Sequence, residues 1–130
     1  MGELSISVVR DVETQYKTNL RERLFDFAIE TLKLLGTIIT SKEFDVFRYQ
    51  LSKSATSIGA NYEEAQGAYS RKEFASKIGI CLKEAGEANY FLRLVESLKI
   101  ADNVMTPKLV IESEEIAKIL ATILLKLRKS

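Results

Sequence analysis

Between positions 44 and 69 an apolar or aromatic side chain recurs every three or four residues without a break. The series is Phe44, Phe47, Leu51, Ala55, Ile58, Tyr62, Ala65 and Tyr69. Because an α-helix completes a turn in 3.6 residues, this spacing places all of them on one helical face. The pattern predicts a long helix, opening after Ser41 or Asp45, whose apolar face must be buried along other helices.

Three other segments share this helical spacing. The first should run from Asn19 to 39–41, the third from Ser70 to 101–103, and the fourth from Thr106 almost to the last residue. Each starts with a side chain that accepts a hydrogen bond from the exposed backbone N–H groups of a helix N-terminus. A glutamate three residues after Ser70 completes a capping box, and a proline directly follows Thr106. Four helices are therefore predicted.

The helices are joined by short connections, and the chain contains one proline, Pro107. Short connections make consecutive helices antiparallel neighbours. We therefore predict an all-α fold in which residues 19–130 form a single domain, an up-down-up-down antiparallel four-helix bundle.

Residues 1–18 have a different pattern. Leu4, Ile6 and Val8 alternate with serines, which is the spacing of a short strand, and a polar stretch follows. We predict an extended or mobile N-terminal arm outside the bundle.

Composition limits the function of a chain of this length. Its 130 residues suffice for one compact core. The net charge is +1, so nucleic-acid binding would have to come from a local basic patch. No signal peptide and no apolar run long enough to cross a membrane are recognisable. We expect a cytoplasmic protein that does not bind membranes.

Enzymatic chemistry has little support in the sequence. The chain has no histidine, the commonest general base and metal ligand, and it has one cysteine, Cys81. Cys81 lies on the apolar stripe of the third segment, where a thiol is usually a small buried hydrophobic group. Pairs of glutamates on helix faces are usually solvated or ion-paired. We predict no catalytic residues, no metal site and no cofactor.

The third segment carries more apolar surface than one buried stripe requires. Ile80, Phe91, Leu94 and Leu98 gather on a neighbouring flank. Surplus apolar width on a small domain indicates an oligomer interface. The alternative is a wide stripe buried between two neighbouring helices of the same bundle.

Two glycines lie seven residues apart on the opposite flank of this segment, Gly79 and Gly86. Glycine inside a helix costs up to about 1 kcal/mol relative to alanine, so this register suggests a close backbone approach. Gly59 of the second segment could face that flank. The alternative is that the glycines are tolerated without a packing role.

Polar residues border the long apolar series of the second segment. Ser57, Asn61 and Glu64 follow one edge of it, although asparagine is unfavourable inside helices. We expect Asn61 and Glu64 to bond a basic or backbone donor on a neighbouring helix and so to fix the register of the bundle.

Two stretches together resemble a known bacterial family. SIGANYEEAQGAYSRKEF begins at Ser57, and IGICLKEAGEANYFLRLV begins at Ile78. With the helix order, this pattern resembles the 23S ribosomal RNA intervening-sequence proteins over roughly residues 20 to 128. Relatives often carry basic residues at the positions of Gly86 and Asn89, so this chain lacks two positive charges of that pattern.

The resemblance implies a left-handed four-helix bundle that assembles as a homopentamer. It also adds Glu84, of the Lys83-Glu84-Ala85 run, to the structural polar motif of Ser57, Asn61 and Glu64. A related branch, the accessory proteins of diversity-generating retroelements, uses a basic surface to engage nucleic acid and a reverse transcriptase.

Two non-enzymatic functions follow. The first is an oligomer that binds RNA or a nucleoprotein partner, and its candidate contacts are Arg71, Lys72, Lys77, Arg93, Lys126, Arg128 and Lys129. The alternative is a protein-binding or structural oligomer that does not bind nucleic acid.

Overall fold

The computed structural model describes residues 2–129, and this part of the chain is all-α, without a strand. The elements are α1 (Glu3–Tyr16), α2 (Leu20–Leu35), a short 3-10 turn (Lys42–Phe44), α3 (Asp45–Gln66), α4 (Arg71–Leu98) and α5 (Met105–Lys129). Met1 and Ser130, the outermost residues of the two predicted segments, lie outside the described residues. The all-α prediction is confirmed.

Two of the predicted helix starts are confirmed by their hydrogen bonds. The side chain of Asn19 accepts a bond from the backbone N–H of Glu22 at 3.2 Å. The hydroxyl of Ser70 accepts one from the N–H of Glu73 at 3.0 Å. The Glu73 carboxylate in turn accepts from the N–H of Tyr69 at 3.0 Å, so both sides of the capping motif are occupied.

The prediction of Pro107 as the first residue of α5 is two residues too late, because the helix begins at Met105. Asp102, not Thr106, holds it: Oδ1 of Asp102 accepts from the N–H groups of Val104 and Met105 at 2.9 and 2.8 Å. These two donors lower the pKa of the Asp102 carboxyl. The Thr106 hydroxyl instead donates to the backbone carbonyl of Asp102 at 2.6 Å. A carboxylate is a strong acceptor, and by capping these two N–H groups Asp102 allows the helix to begin before Thr106.

Four helices enclose one core. The packed pairs are α2 with α3, α3 with α4, α4 with α5, and α5 with α2. The six central residues of the predicted series, from Phe47 to Ala65, are buried, whereas Tyr69 at its end is 97% exposed. Helix packing of this kind is that of a bundle, and its handedness and complete up-down order stay predictions.

The expectation of an extended N-terminal arm was wrong, because residues 3–16 form a helix. Ser5, Val8, Val9 and Val12 are buried at helical spacing, and this repeat overrides the shorter alternation at positions 4, 6 and 8. The helix is fixed at its end, where the N–H of Leu20 donates to the Glu13 carboxylate at 2.7 Å.

Both N-terminal helices lie along α5. The hydroxyls of Tyr16 and Thr122 are 3.2 Å apart, and Arg23 forms two 2.7 Å bonds with the carboxylate of Glu112. From α1 to α2 the residue numbers of these contacts rise, while those of their partners on α5 fall. A break at Lys17, which has a left-handed φ of 51°, separates the two helices. One side of the bundle is thus built from two helices, which is why five helices surround a four-sided core.

Replacement of Val12 by aspartate tests the docking of α1. Val12 is fully buried, so an unpaired carboxylate there should lower the free energy of unfolding by about 2–4 kcal/mol. Gln15→Asp, at an exposed position of the same helix, should change it by less than about 0.5 kcal/mol. Urea denaturation followed by circular dichroism measures both, and equal stabilities of the two variants would show that α1 does not contribute to the core.

Candidate interaction surfaces on α3, α4 and α5

Helices α3 and α4 form the longest packed pair of the bundle. Glu64 meets Lys77 at one end, Ile58 meets Cys81 in the middle, and the rings of Phe47 and Phe91 lie 6.3 Å apart at the other end. Numbers rise along α3 as they fall along α4, so the pair is antiparallel. These contacts also establish which flank of α4 faces α3.

The polar motif divides into two kinds of contact. Nζ of Lys77 donates to Oε1 of Glu64 at 3.2 Å, which joins α4 to α3 through a basic donor. Asn61 makes no such bond: its amide donates to the carbonyl of Ser57 at 2.8 Å, within α3, and the expectation of a bond to another helix was wrong for it. The Ser57 hydroxyl likewise bonds the carbonyl of Lys53 at 2.6 Å. Short polar side chains inside a helix readily bond the preceding turn.

Glu84, the fourth member of the motif, has an unusual environment. The residue is half-buried, but its Oε2 atom is fully buried and has no hydrogen-bond partner within residues 2–129. A buried carboxylate oxygen without a donor is costly, and nearly all buried polar atoms of folded proteins are paired. The Glu84 carboxylate is therefore not fully paired by the residues that the structure describes.

The four predicted interface residues fall into two pairs. Phe91 and Leu94 are partly buried and pack against the core, as the wide-stripe alternative describes. Ile80 and Leu98 are 37% and 50% exposed. The surplus apolar surface thus remains at two positions, one on each side of Phe91 along the helix.

The glycines of α4 do not serve a close approach inside the chain. A Cβ atom added at Gly79 or at Gly86 would meet nothing within 4 Å. Gly59 lies on the other side of α3, where an added Cβ would contact Leu24 of α2 at 3.8 Å. The suggested packing of Gly59 against the glycines of α4 is wrong, because α2 occupies that side of α3.

The candidate nucleic-acid contacts include a group at one end of the bundle. Asn89, in the second half of α4, bonds Ser113 of α5 at 2.9 Å, and only residues 99–104 connect the two helices, so they run in opposite directions and the start of α4 lies beside the end of α5. The exposed members of this group are Arg71, Lys72, Arg128 and Lys129, and Lys126 is half-buried.

The other two candidate cations are engaged within the chain. Lys77 pairs with Glu64, as described above. Arg93 donates from Nε to the Asn89 amide oxygen at 2.9 Å, and its guanidinium lies 5.7 Å from the centre of the Tyr90 ring. Lys77 and Arg93 are therefore held beside α3 and α5, away from the basic end of the bundle.

Residues 2–129 contain no group of three or more potential ligands that could hold a metal ion. No helix in this range is long and apolar enough to cross a membrane. A surface depression of ≈ 740 Å³ lies where the loop after α2 meets the α4–α5 connection. Its Asp102 carboxylate already caps α5, so the depression offers no free acid at that position.

Cys81 is a core residue. It is fully buried, and its Sγ lies 3.4 Å from the carbonyl of Ile58. Burial raises the pKa of the Cys81 thiol from 9.0 to about 12. The folded state thus favours the protonated thiol, and this contribution to stability is fully present below about pH 9 and is lost as the pH rises through 12.

Thiol labelling tests this assignment. At pH 8 the folded protein should react with a disulfide reagent at least about 100-fold more slowly than the protein in guanidinium chloride, because both the thiolate and access are suppressed. In a Cys81→Ala background, Ser7→Cys places a thiol at an exposed position of α1 and should label rapidly in the folded state. Rapid labelling of native Cys81 would contradict a purely structural role.

One exposed apolar stripe was missed in the sequence. Phe25, Ile29 and Leu32 lie on the outer face of α2 and are 65%, 37% and 44% exposed. Their spacing of four and three residues is the signal that could have identified them, but the buried stripe of the same helix follows the same period.

Comparisons with known proteins agree with this architecture. The sequence profile described as 23S rRNA-intervening sequence protein matches residues 17–122. A similar solved structure is a protein of unknown function from the S23 ribosomal protein family of Bacteroides thetaiotaomicron, with 32% sequence identity and a TM-score of 0.74. The match covers 82% of this chain and 98% of that one. No curated protein matches the sequence.

Proposed function

This chain belongs to the 23S rRNA-intervening sequence protein family, and from that premise we propose that it is a non-enzymatic, homo-oligomeric bundle that binds RNA. The proposed assembly is a pentameric ring of left-handed, up-down-up-down bundles in the bacterial cytoplasm. Its RNA contact is the basic end formed by Arg71, Lys72, Arg128 and Lys129.

The grouping of these cations carries the RNA proposal. They lie far apart in sequence, yet the antiparallel packing of α4 and α5 brings them to one end of a chain whose net charge is only +1. Lysine and arginine side chains bind nucleic acid mainly through phosphates, and each contact releases counterions. A surface of this kind recognises the charged backbone and does not read bases.

Oligomerisation would strengthen a small basic patch. One bundle presents few cations, and a few phosphate contacts give weak binding at physiological salt. A ring repeats the patch in every copy, so that later contacts form at a high effective concentration. The RNA proposal therefore depends on assembly.

A second function, a structural oligomer without nucleic acid, is favoured by a separate observation. Three of the seven candidate contacts, Lys77, Arg93 and Lys126, already have partners within the chain. Their charged groups are thus already engaged in contacts within the bundle. In this function the basic end would be an ordinary solvated surface.

Charge reversal at the basic end distinguishes the two functions. Arg128→Glu/Lys129→Glu should weaken binding to a fluorescently labelled, structured fragment of 23S rRNA by at least about tenfold at 50 mM salt, and should flatten the dependence of log K on log salt by about 1–2. Fluorescence anisotropy at several salt concentrations measures both. The matched control is Lys42→Glu/Lys108→Glu, which reverses two exposed cations near the opposite end.

The control should bind the RNA within about twofold of the unchanged protein, since its cations lie outside the proposed contact. An equal loss in both double variants would mean that binding follows net charge alone. Absence of binding by the unchanged protein at low salt would remove the RNA function and leave the structural oligomer.

A further inference from the structure

We propose that the two flanks of α4 are complementary halves of one head-to-tail contact between copies of this chain. This inference rests on the proposed oligomer and specifies the surfaces that build it. The acidic flank, on the α3 side, consists of Ile80, Glu84, Glu87, Leu94 and Leu98. The glycine flank, on the α5 side, consists of Gly79, Lys83, Gly86, Tyr90 and Arg93.

The acidic flank combines exposed apolar side chains with two glutamates. Ile80 and Leu98 are exposed, and Glu84 is half-buried beside them. Glu87, one turn further along, adds a second negative charge. A surface that combines these features fits a partner with small residues and at least one cation.

The glycine flank has that shape. Space is open above both Gly79 and Gly86, since added Cβ atoms would meet nothing within 4 Å. Ala117 and Ala121 border the glycines from α5 by helical register, and they too are small. Two helix-interior glycines that are not needed for packing within the chain leave a shallow hollow in which Ile80 or Leu98 of another copy can pack.

The charges of the two flanks are opposite. Arg93 is held on the α5 side by Asn89 and by the ring of Tyr90, and Lys83 is exposed between the glycines. One carboxylate, Glu114 of α5, borders this flank by helical register and leaves its balance positive. On the other flank, Lys77 is neutralised by Glu64. The two carboxylates there, Glu84 and Glu87, outnumber Lys53, the exposed cation that borders them from α3 by helical register. Opposite charges fix the orientation of a contact and disfavour like-to-like pairing.

The two flanks cannot meet within one molecule, because both belong to the same rigid helix, one towards α3 and the other towards α5. Contact between them requires a second copy. Because the surfaces differ, the contact is heterologous, and an open chain of copies leaves one unused flank at each of its two ends. Such contacts close into rings when the rotation between copies permits it.

Substitution at Gly86 separates assembly from folding. Gly86→Leu fills the hollow, and because the position is open within the chain and leucine favours helices, the urea concentration at the midpoint of unfolding should not fall. Light scattering should nevertheless show a single chain of 14.7 kDa. The matched control is Thr56→Leu, an exposed position of α3 outside both flanks, which should keep the mass of the unchanged protein.

Mixing two defective variants tests the head-to-tail arrangement. Ile80→Asp damages the acidic flank and Gly86→Leu the glycine flank, so each variant alone should be monomeric. Each keeps one intact flank, so an equimolar mixture at high micromolar concentration should form a one-to-one complex of twice 14.7 kDa and nothing larger. Sedimentation velocity resolves these species.

The outcomes separate this inference from the proposed function. A monomeric unchanged protein removes the proposed oligomer and the inference together. An oligomer that survives Gly86→Leu, or two monomeric variants that do not combine when mixed, removes only the inference and leaves an oligomer built through another surface.

Discussion

The packing of α3 against α4 is the interaction on which the rest of the structure depends. The two helices have 22 and 28 residues, or about 33 and 42 Å at 1.5 Å per residue. Fully buried alanines, such as Ala55 and Ala85, alternate along the seam with larger side chains such as Phe74 and Ile58. Small residues allow close approach while the large ones fill the space between the helices. The other helices cover the apolar side chains that this pair leaves exposed.

The sequence predicted those parts of the fold that are set by local chemistry or by a long period. The series through Ile58 repeats for seven turns, and the caps at Asn19 and Ser70 act within three residues, so neither depends on distant contacts. The helix of residues 3–16 was not predicted, because its apolar repeat is short and one of its buried positions is a serine, Ser5. The start of α5 was predicted wrongly because Asp102 and Thr106 can each cap a helix, at successive turns, and the sequence alone does not rank them.

At the candidate surfaces, the sequence could place a residue on a flank but could not choose its partner. Asn61 and Glu64 lie on the same edge of α3, yet one bonds its own helix and the other crosses to Lys77. The chemistry of the side chain decides this, since the amide of Asn61 can donate to a carbonyl of the preceding turn, whereas the carboxylate of Glu64 only accepts and must meet a donor such as Lys77. The orphaned oxygen of Glu84 depends on burial by several helices, which a helical period does not describe.

Assembly through α4 and RNA binding at the basic end are geometrically compatible. The two flanks lie on the sides of the bundle, whereas Arg71 and Arg128 lie at its end, so contacts between copies leave that end uncovered. In a ring whose axis follows the bundle axes, rotation carries each basic end to an equivalent position on the same face of the ring. Cations that are sparse on one chain would then form a continuous positive rim, and a protein of nearly neutral net charge could bind a polyanion on one face only.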